Sequence, residues 1–370
     1  MSFNGLRLGL IGPVPPPSGG MANQTRQLAE LLGREGASVS LVATNAPYRP
    51  ACLERVRWVR SIFRIVPYVH ALWRCAGRVE LFHVMANSGW SWHLFAAPAV
   101  WIGKLRGIPV LVNYRGGEAE AFLSRAHRWV LPTLRRVDML AVPSDFLRNV
   151  FEQYGVTAHV LPNIVDLARF RPLEQKSPTA ARASHIVIAR NLEVIYDNAT
   201  AIRAFAIVLR NLPNASMVVA GSGPERNALE RLAQDLGVAS RLTFAGTLDR
   251  EEIADLYRTG HVAINPSRVD NMPNSILEAL ASGVPVVSTR VGGVPHMVQD
   301  GVTALLVPPG QPEAMAEAVM RVLNDRNLAC LLRDNGLIEV QRYAWGSVGP
   351  KLLSAYNCAL RRPSSDMLAA

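Results

Sequence analysis

Short runs rich in Val, Ile and Leu alternate along this chain with longer segments whose apolar positions recur at helical spacing. That alternation is the sequence form of repeated strand-helix units around parallel sheets, so the fold class is α/β. In the first half the predicted strands are Arg7 to Ile11, Ser38 to Ala43, Leu81 to Met85, Val110 to Asn113, Met139 to Val142 and His159 to Leu161. In the second half they are His185 to Ala189, Ser216 to Ala220, Leu242 to Ala245, Val262 to Asn265, Val286 to Ser288 and Ala304 to Val307. Two doubly wound, Rossmann-like sheets follow. Phe170 to Ser184 loses the pattern and collects Pro172, Pro178 and polar residues, which places a linker there. The expected domains are residues 1–172 and 173–345. A last helix, begun after Gly346 and followed by no strand, is expected to pack back on the first domain over 346–370. The chain contains neither a repeat of fixed period nor a low-complexity tract.

At 370 residues the chain exceeds one ordinary core, and 49% apolar against 18% charged residues rules out a largely disordered protein. The longest apolar stretch, Leu94 to Gly103, is about half of the roughly 20 residues that a membrane-spanning helix needs. Leu6 to Val14 runs into prolines rather than a cleavage site and reads as a first strand, so a cytoplasmic location is expected. Cys52, Cys75, Cys330 and Cys358 have no metal-ligand or redox spacing and are expected to be buried thiols.

Charge changes the picture by its distribution. Residues 1–174 carry 20 Lys and Arg against 11 Asp and Glu, so +9 of the total net charge of +10 belongs to the first half. The basicity gathers at Arg55, Arg57, Arg60, Arg64, Arg74 and Arg78, with Trp58, Phe63 and Trp73 among them, and again at Arg125, Arg128, Arg135 and Arg136 around Trp129. Helices of this kind suit an anionic membrane surface or a phosphorylated partner, and also the plain solvated face of an arginine-rich chain. The segments contain no nucleic-acid module, so nucleic acid is not the expected partner.

Four strand ends carry candidate chemistry. The first strand leads through Gly12-Pro13-Val14-Pro15-Pro16-Pro17-Ser18 to Gly19-Gly20-Met21 and an amphipathic helix from Ala22 to about Gly36. Paired glycines there admit a phosphate or sugar hydroxyl, or simply serve a tight turn. Gly221-Ser222-Gly223-Pro224 repeats that logic before a helix from Glu225. Arg190, following its strand, is a fixed cation able to meet a departing diphosphate, or a surface ion pair. Asp270-Asn271-Met272-Pro273-Asn274-Ser275-Ile276-Leu277-Glu278 follows another strand, at the sheet edge where open α/β folds bind ligands. Asn274 or Ser275 is placed to cap a helix whose amides face an anion. Glu278, on its first turn, suits the paired hydroxyls of a ribose, and Asp270 another polyol; acidic residues that only complement the helix dipole are the alternative.

Taken together these motifs resemble glycosyltransferase family 4, the retaining, nucleotide-sugar-dependent group with the GT-B fold. The resemblance covers nearly the whole chain. It rests on Gly19-Gly20-Met21, on Pro162-Asn163-Ile164-Val165-Asp166 with Phe170, on Gly221-Ser222-Gly223-Pro224 and on Phe244-Ala245-Gly246. Asp270 to Glu278 with the following Ala279-Leu280-Ala281-Ser282-Gly283-Val284-Pro285, Gly301 to Pro308, and Tyr343-Ala344-Trp345 complete it. The resemblance implies two Rossmann-like domains facing a cleft, with the C-terminal helix crossing back to the first. It also implies a donor held mainly by the second domain, an acceptor by the first, and no metal or other cofactor. Carried over, Arg190, Asp270 and Glu278 are the catalytic candidates. Gly19, Gly20, Gly221, Gly223, Asn271, Met272, Pro273, Asn274, Ser275 and Glu278 are the donor-binding ones.

Three positions depart from the family pattern. The lysine usual five or six residues after the arginine is absent, with Ile195, Tyr196 and Asp197 in that stretch. His83-Val84-Met85 puts methionine where the family often has a sugar-contacting histidine, leaving Asn87 or His93 as substitutes. Arg115-Gly116-Gly117 replaces a frequent His-Gly and suits an anionic acceptor. The expected function is transfer of a sugar to a lipid-linked or polysaccharide acceptor in cell-surface or exopolysaccharide biosynthesis, by a cytoplasmic protein peripheral to the inner face of the plasma membrane. The rival is a non-catalytic nucleotide-sugar-binding or assembly subunit. Epimerase chemistry lacks an assembled acid-base set, and phosphorylase chemistry a lysine placed for pyridoxal phosphate.

Overall fold

A computed structural model describes residues 2–16, 19–46, 60–172 and 184–361. Pro17, Ser18, Cys52, Arg55, Arg57, Trp58, most of the expected linker and the side chains of Arg60 and Phe63 lie outside the described residues. The chain divides into two compact units, Met1–Ile164 with Trp345–Ala370, and Val165–Ala344.

In the first unit the elements run β1 (Arg7–Gly12), α1 (Gly20–Arg34), β2 (Ser38–Ala43), α2 (Arg60–Ala76), β3 (Leu81–Ala86), α3 (Ala97–Leu105), β4 (Val110–Tyr114), α4 (Ala119–Leu134), β5 (Met139–Val142), α5 (Asp145–Glu152) and β6 (His159–Val160). They form a six-stranded parallel sheet ordered β2-β1-β3-β4-β5-β6. Helices cover both faces, so β3, β4 and β5 are buried along their whole length, which is why they read as unbroken apolar runs. Alternation of side chains sorts the core: Leu8 and Leu10 point to one face, Ile11, Phe82 and Val84 to the other.

The final helix belongs to this unit. It is α12 in the count below and runs from Trp345 to Ala359, two residues earlier than the sequence suggests. Val348, Leu352 and Tyr356 join Leu8, Leu10 and Leu28 of the face that α1 also covers. Its register is held by a buried polar chain. Arg115 Nε donates to Asn113 Oδ1 at 3.2 Å, which turns the Asn113 amide nitrogen toward His83 Nε2 at 3.2 Å. His83 therefore carries its proton on Nδ1 and donates it to the Tyr356 hydroxyl at 2.8 Å. Burial, aided by the Arg115 charge, pulls the imidazole down to about 3, so His83 stays neutral. It is a strand residue locking the last helix, not an exposed reagent.

The second unit contains β7 (His185–Ala189), α6 (Asn198–Asn211), β8 (Ser216–Ala220), α7 (Arg226–Asp235), β9 (Leu242–Gly246), α8 (Arg250–Thr259), β10 (Val262–Asn265), α9 (Asn274–Ala281), β11 (Val286–Thr289), β12 (Leu305–Val307), α10 (Pro312–Asn324) and α11 (Arg326–Glu339). Its parallel sheet is ordered β12-β11-β10-β7-β8-β9. In both sheets the chain winds outward, returns across the starting strand and winds the other way. The reversal lies between β1 and β3 in the first sheet and between β7 and β10 in the second. Outside the carboxyl ends of those strand pairs, loops diverge and leave a crevice for ligands.

All twelve predicted strands are present within a residue or so of the expected bounds. The cysteines are not uniformly buried: Cys75 is, Cys330 is half-buried and Cys358 is exposed because it faces outward from α12. Replacing Tyr356 by Phe leaves the buried His83 N–H without an acceptor. The expected loss is about 1–3 kcal/mol of stability, read by denaturant unfolding of Tyr356→Phe against wild type.

Candidate active site

The crevice of the second sheet is built from the residues that leave β7 and β10. Arg190 follows β7 directly, and Ser267 and Asp270 follow β10. One guanidinium nitrogen of Arg190 donates to Asp270 Oδ2 at 2.5 Å and to Ser267 Oγ at 3.1 Å, and the other lies 3.5 Å from Ser275 Oγ. Only 10% of the Arg190 side chain and 12% of that of Asp270 reach solvent, so this is a desolvated ion pair. The guanidinium also stacks on the Tyr196 ring, 4.0 Å from its centroid. Burial pushes the Asp270 carboxyl up, while Arg190, Ser267 and the Asn271 amide pull it back. Arg190 Nε is buried without a hydrogen-bond partner among the described residues.

By sequence, Arg190 meets a diphosphate and Asp270 a polyol as separate groups; in the structure they hold each other. The loop after β11 completes the clamp. Gly293 donates its amide to the Asp270 carbonyl at 3.0 Å, and a Cβ on Gly292, whose φ is +48°, would lie 2.1 Å from that same oxygen. Thr289 Oγ1 donates to the Ser267 carbonyl at 2.6 Å.

Helix α9 starts one position earlier than a cap at Asn274 or Ser275 requires. Pro273 is its N-cap, with no side-chain cap, because Asn274 and Ser275 are already helical. Tyr257, from α8, donates its hydroxyl to the Ser275 carbonyl at 3.0 Å and fixes this first turn. Asn271, Met272 and Ser275 are buried at the same edge, with Pro273 between them. Glu278 is the fifth residue of α9 and stands just past the first turn. Burial raises its carboxyl to about 7, opposed by the charges of Arg250 and Arg190. A part-buried carboxylate that titrates near neutrality, beside a helix start and a guanidinium, can accept hydrogen bonds from a diol.

Gly221 and Gly223 pack differently from an open cradle. Gly221 has φ +146°, and a Cβ there would lie 2.0 Å from the Arg190 carbonyl; one on Gly223 would lie 2.3 Å from the Leu192 carbonyl. These glycines let the loop after β8 lie against the backbone carrying Arg190, joined by Leu192 N to the Ser222 carbonyl at 3.0 Å. Helix α7 begins at Arg226, with Glu225 as its N-cap, so Pro224 precedes the helix. Where the expected lysine is missing, another cation arrives from β10: Arg268 donates its amide to the Ile195 carbonyl at 2.8 Å, and its Nε to Asp197 Oδ2 at 2.9 Å. Ser267, Tyr196, Tyr257, Arg268 and Gly292 are the residues that sequence reasoning did not assign. Most of their partners lie in other connections of the sheet, and no local pattern marks them.

At the reversal of the first sheet, Gly19 is extended and Gly20 opens α1 with no side-chain cap. Met85 is buried against Gly12, where a Cβ would lie 2.9 Å from Met85 Cβ. Asn87 Oδ1 accepts the Ser88 amide at 2.8 Å, and Ser88 Oγ pairs with the Tyr114 hydroxyl at 2.7 Å. His93 lies in a π-helical turn, Trp92–Ala96, edge-on to Trp90 and Phe122. Arg115 turns to Asn113 and Asn163, and burial draws its guanidinium down to about 10. Asn87, His93 and Arg115 therefore share an edge, but no hydrogen bond or ring contact joins them among the described residues.

Residues 18–169 match the profile described as Glycosyltransferase Family 4, and residues 176–337 that described as Glycosyl transferases group 1. The chain belongs to glycosyltransferase family 4. It is 24% identical over 282 residues to the sulfoquinovosyl transferase of Arabidopsis thaliana, covering 69% of this chain and 52% of that protein. It is 29% identical over 285 residues to a GDP-mannose-dependent α-(1-6)-phosphatidylinositol monomannoside mannosyltransferase of Mycobacterium tuberculosis, covering 68% and 74%. Several of the curated relatives are matched over only about half of their own length. Among solved structures it is similar to Anabaena HepE in complex with UDP-glucose, with a TM-score of 0.74 and 16% identity over 95% of this chain and 99% of that one. The GT-B architecture expected from the motifs is thus that of the family-4 chain.

Removing one partner of the Arg190–Asp270 pair strands a buried charge. Asp270→Asn is expected to cost about 3–5 kcal/mol, with part recovered in the double variant Asp270→Asn, Arg190→Gln. Denaturant unfolding of wild type and the two variants measures it. Because the folded carboxyl of Glu278 binds its proton more tightly than the unfolded one, its contribution to stability falls as pH rises from about 4.5 through about 7. Glu278→Gln removes that slope. Its stability relative to wild type is expected to rise by roughly 2–3 kcal/mol between pH 4 and pH 8, read from melting curves across that range.

Proposed function

We propose that this chain transfers a glycosyl group from a nucleoside-diphosphate sugar, held by the second unit, to a lipid-linked or polysaccharide acceptor on the first. The observation that carries this reading is the convergence of Arg190, the first turn of α9 and Glu278 at the β7/β10 reversal. The guanidinium and the helix start supply positive potential where a diphosphate gathers charge as it departs. Glu278 accepts the ribose hydroxyls. Asp270 orients Arg190 through their ion pair, while its other oxygen accepts the Asn271 amide and holds the loop that faces the sugar. Asn271 to Ser275 line the sugar and phosphate, and the loop of Gly19 and Gly20 closes on the donor or meets the acceptor. Gly221 and Gly223 serve donor binding by seating the Arg190 loop.

Transfer proceeds with retention, by front-face displacement, for which no protein nucleophile is needed. These charges, rather than a bound metal or cofactor, balance the leaving group. Asn87, His93 and Arg115 address the acceptor. The matched relative named for transfer to phosphatidylinositol monomannoside supports a lipid-linked acceptor. The working place is the cytoplasmic face of a membrane; no described helix is long and apolar enough to cross one. Met85, buried at the position of the family's histidine, favours a second reading, a nucleotide-sugar-binding subunit that does not transfer.

Thermal-shift titration with a panel of nucleoside diphosphates and nucleotide sugars tests the donor site. One nucleotide is expected to stabilise the wild type, by about 2.7 kcal/mol at a hundred times its dissociation constant. Glu278→Ala and Arg190→Ala are expected to lose that stabilisation. Since hydroxyl donors favour the ionised carboxyl, affinity should rise with pH through about 7 and flatten in Glu278→Gln. Stabilisation unchanged in Glu278→Ala would refute the ribose assignment, and binding with neither transfer nor hydrolysis would select the non-catalytic reading.

A further inference from the structure

The exposed large apolar side chains are unevenly spread. In the second unit they are Val194, Leu331 and Ile338 among the described residues. Besides Leu41 and Trp90, the first unit exposes Val66, Val69 and Trp73 on α2, Trp101 and Leu105 on α3, and Trp129 on α4, with Leu105 at 74% and Trp129 at 79%. Val66, Val69 and Trp73 recur at helical spacing, so α2 carries an outward apolar stripe as well as the inward one of Tyr68, Leu72 and Cys75. These helices are neighbours: α2 packs on α3, and α3 on α4. Guanidinium groups bridge them, Arg106 over Trp73 at 4.7 Å and Arg136 over Trp101 at 4.4 Å. The Trp residues thus belong to one continuous helical layer.

The charge of this layer is predominantly positive. Helices α2 and α3 contain no Asp or Glu, and α4 only Glu120. Arg74, Arg78, Arg106, Arg125, Arg128, Arg135 and Arg136 are exposed and form no ion pair with a described residue. Asp138, beside α3, is neutralised by Lys104 at 2.5 Å. In the second unit Arg226, Arg258, Arg268, Arg290, Arg333 and Arg342 pair with carboxylates, while Arg203, Arg210, Arg231, Arg241, Arg321 and Arg326 are exposed without an ion pair to a described residue; there the unpaired arginines have no exposed indole among them.

We propose that the outer face of α2, α3 and α4 docks on an anionic lipid bilayer. Indole rings and Leu105 enter the boundary between headgroups and acyl chains, while the unpaired guanidinium groups reach lipid phosphates. Bilayer rather than protein is the occupant because the face joins bulky interfacial side chains to cations that lack carboxylate partners among the described residues and are spread over three helices. This rests on the membrane-bound acceptor proposed above and assigns the surface that reaches it.

Co-sedimentation of the full chain with vesicles of phosphatidylcholine, alone or mixed with phosphatidylglycerol, tests the face. Wild type is expected to pellet with the mixed vesicles only, and less at high salt. The variant Arg74→Ser, Arg128→Ser, Arg135→Ser is expected to lose on the order of a hundredfold in partitioning. Trp73→Ala, Leu105→Ser, Trp129→Ala is expected to lose at least about tenfold. Both variants should keep the nucleotide-induced thermal shift, which separates failure of this face from failure of the donor site. Wild type that stays in the supernatant with mixed vesicles, or variants that pellet like wild type, would overturn the proposal. So would self-association abolished by the same substitutions in a wild type that ignores vesicles.

Discussion

The buried pair between Arg190 and Asp270 is the constraint on which the second unit's site depends. It ties the first residue after β7 to the loop after β10, across the point where the sheet reverses its winding. A buried guanidinium is tolerable only with its charge and donors matched, and the surroundings supply that match. Ser267 and Ser275 take donors, Tyr196 lies against the guanidinium plane, and Gly292 clears space for the Asp270 backbone. Gly221 and Gly223 serve the same end, because any side chain there would collide with the backbone behind Arg190. The pair is internally neutral, so the positive potential toward a ligand comes from the geometry of the guanidinium together with the start of α9.

Glu278 stands in a complementary environment. Its carboxyl is raised by burial and only partly offset by Arg190 and Arg250. Loss of hydration that its neighbours only partly offset makes the charged form costly, which is the environment expected of a carboxyl at a functional site. The first unit uses its buried polar groups in the opposite way. Arg115, Asn113, His83 and Tyr356 satisfy one another, and the result is a fixed position for α12 rather than a reactive edge.

The division of labour extends to the surfaces. Exposed indoles occur only in the first unit among the described residues, and the arginines of α2 to α4 stand among them without described carboxylate partners, whereas several arginines of the second unit hold local ion pairs. Net charge located the basicity in the first half. It could not distinguish paired from unpaired guanidinium groups, since pairing depends on which helices lie side by side.

Strand positions, the α/β class and the sheet-edge location of Arg190, Asp270 and Glu278 were legible in the sequence, because buried parallel strands demand apolar runs and their loops demand glycine and polar residues at fixed places. The family resemblance was legible for the same reason, its motifs being those loops. What the sequence could not decide was partnership. Arg190 and Asp270 are 80 residues apart and were read as two ligand contacts, yet desolvation at one sheet edge makes them a pair. His83 and Tyr356, 273 residues apart, meet only because α12 returns to the first sheet. Periodicity reports which side of an element is buried, and so fixes elements one at a time; hydrogen bonds and charge pairs between distant loops exist only once the topology has brought their strands together.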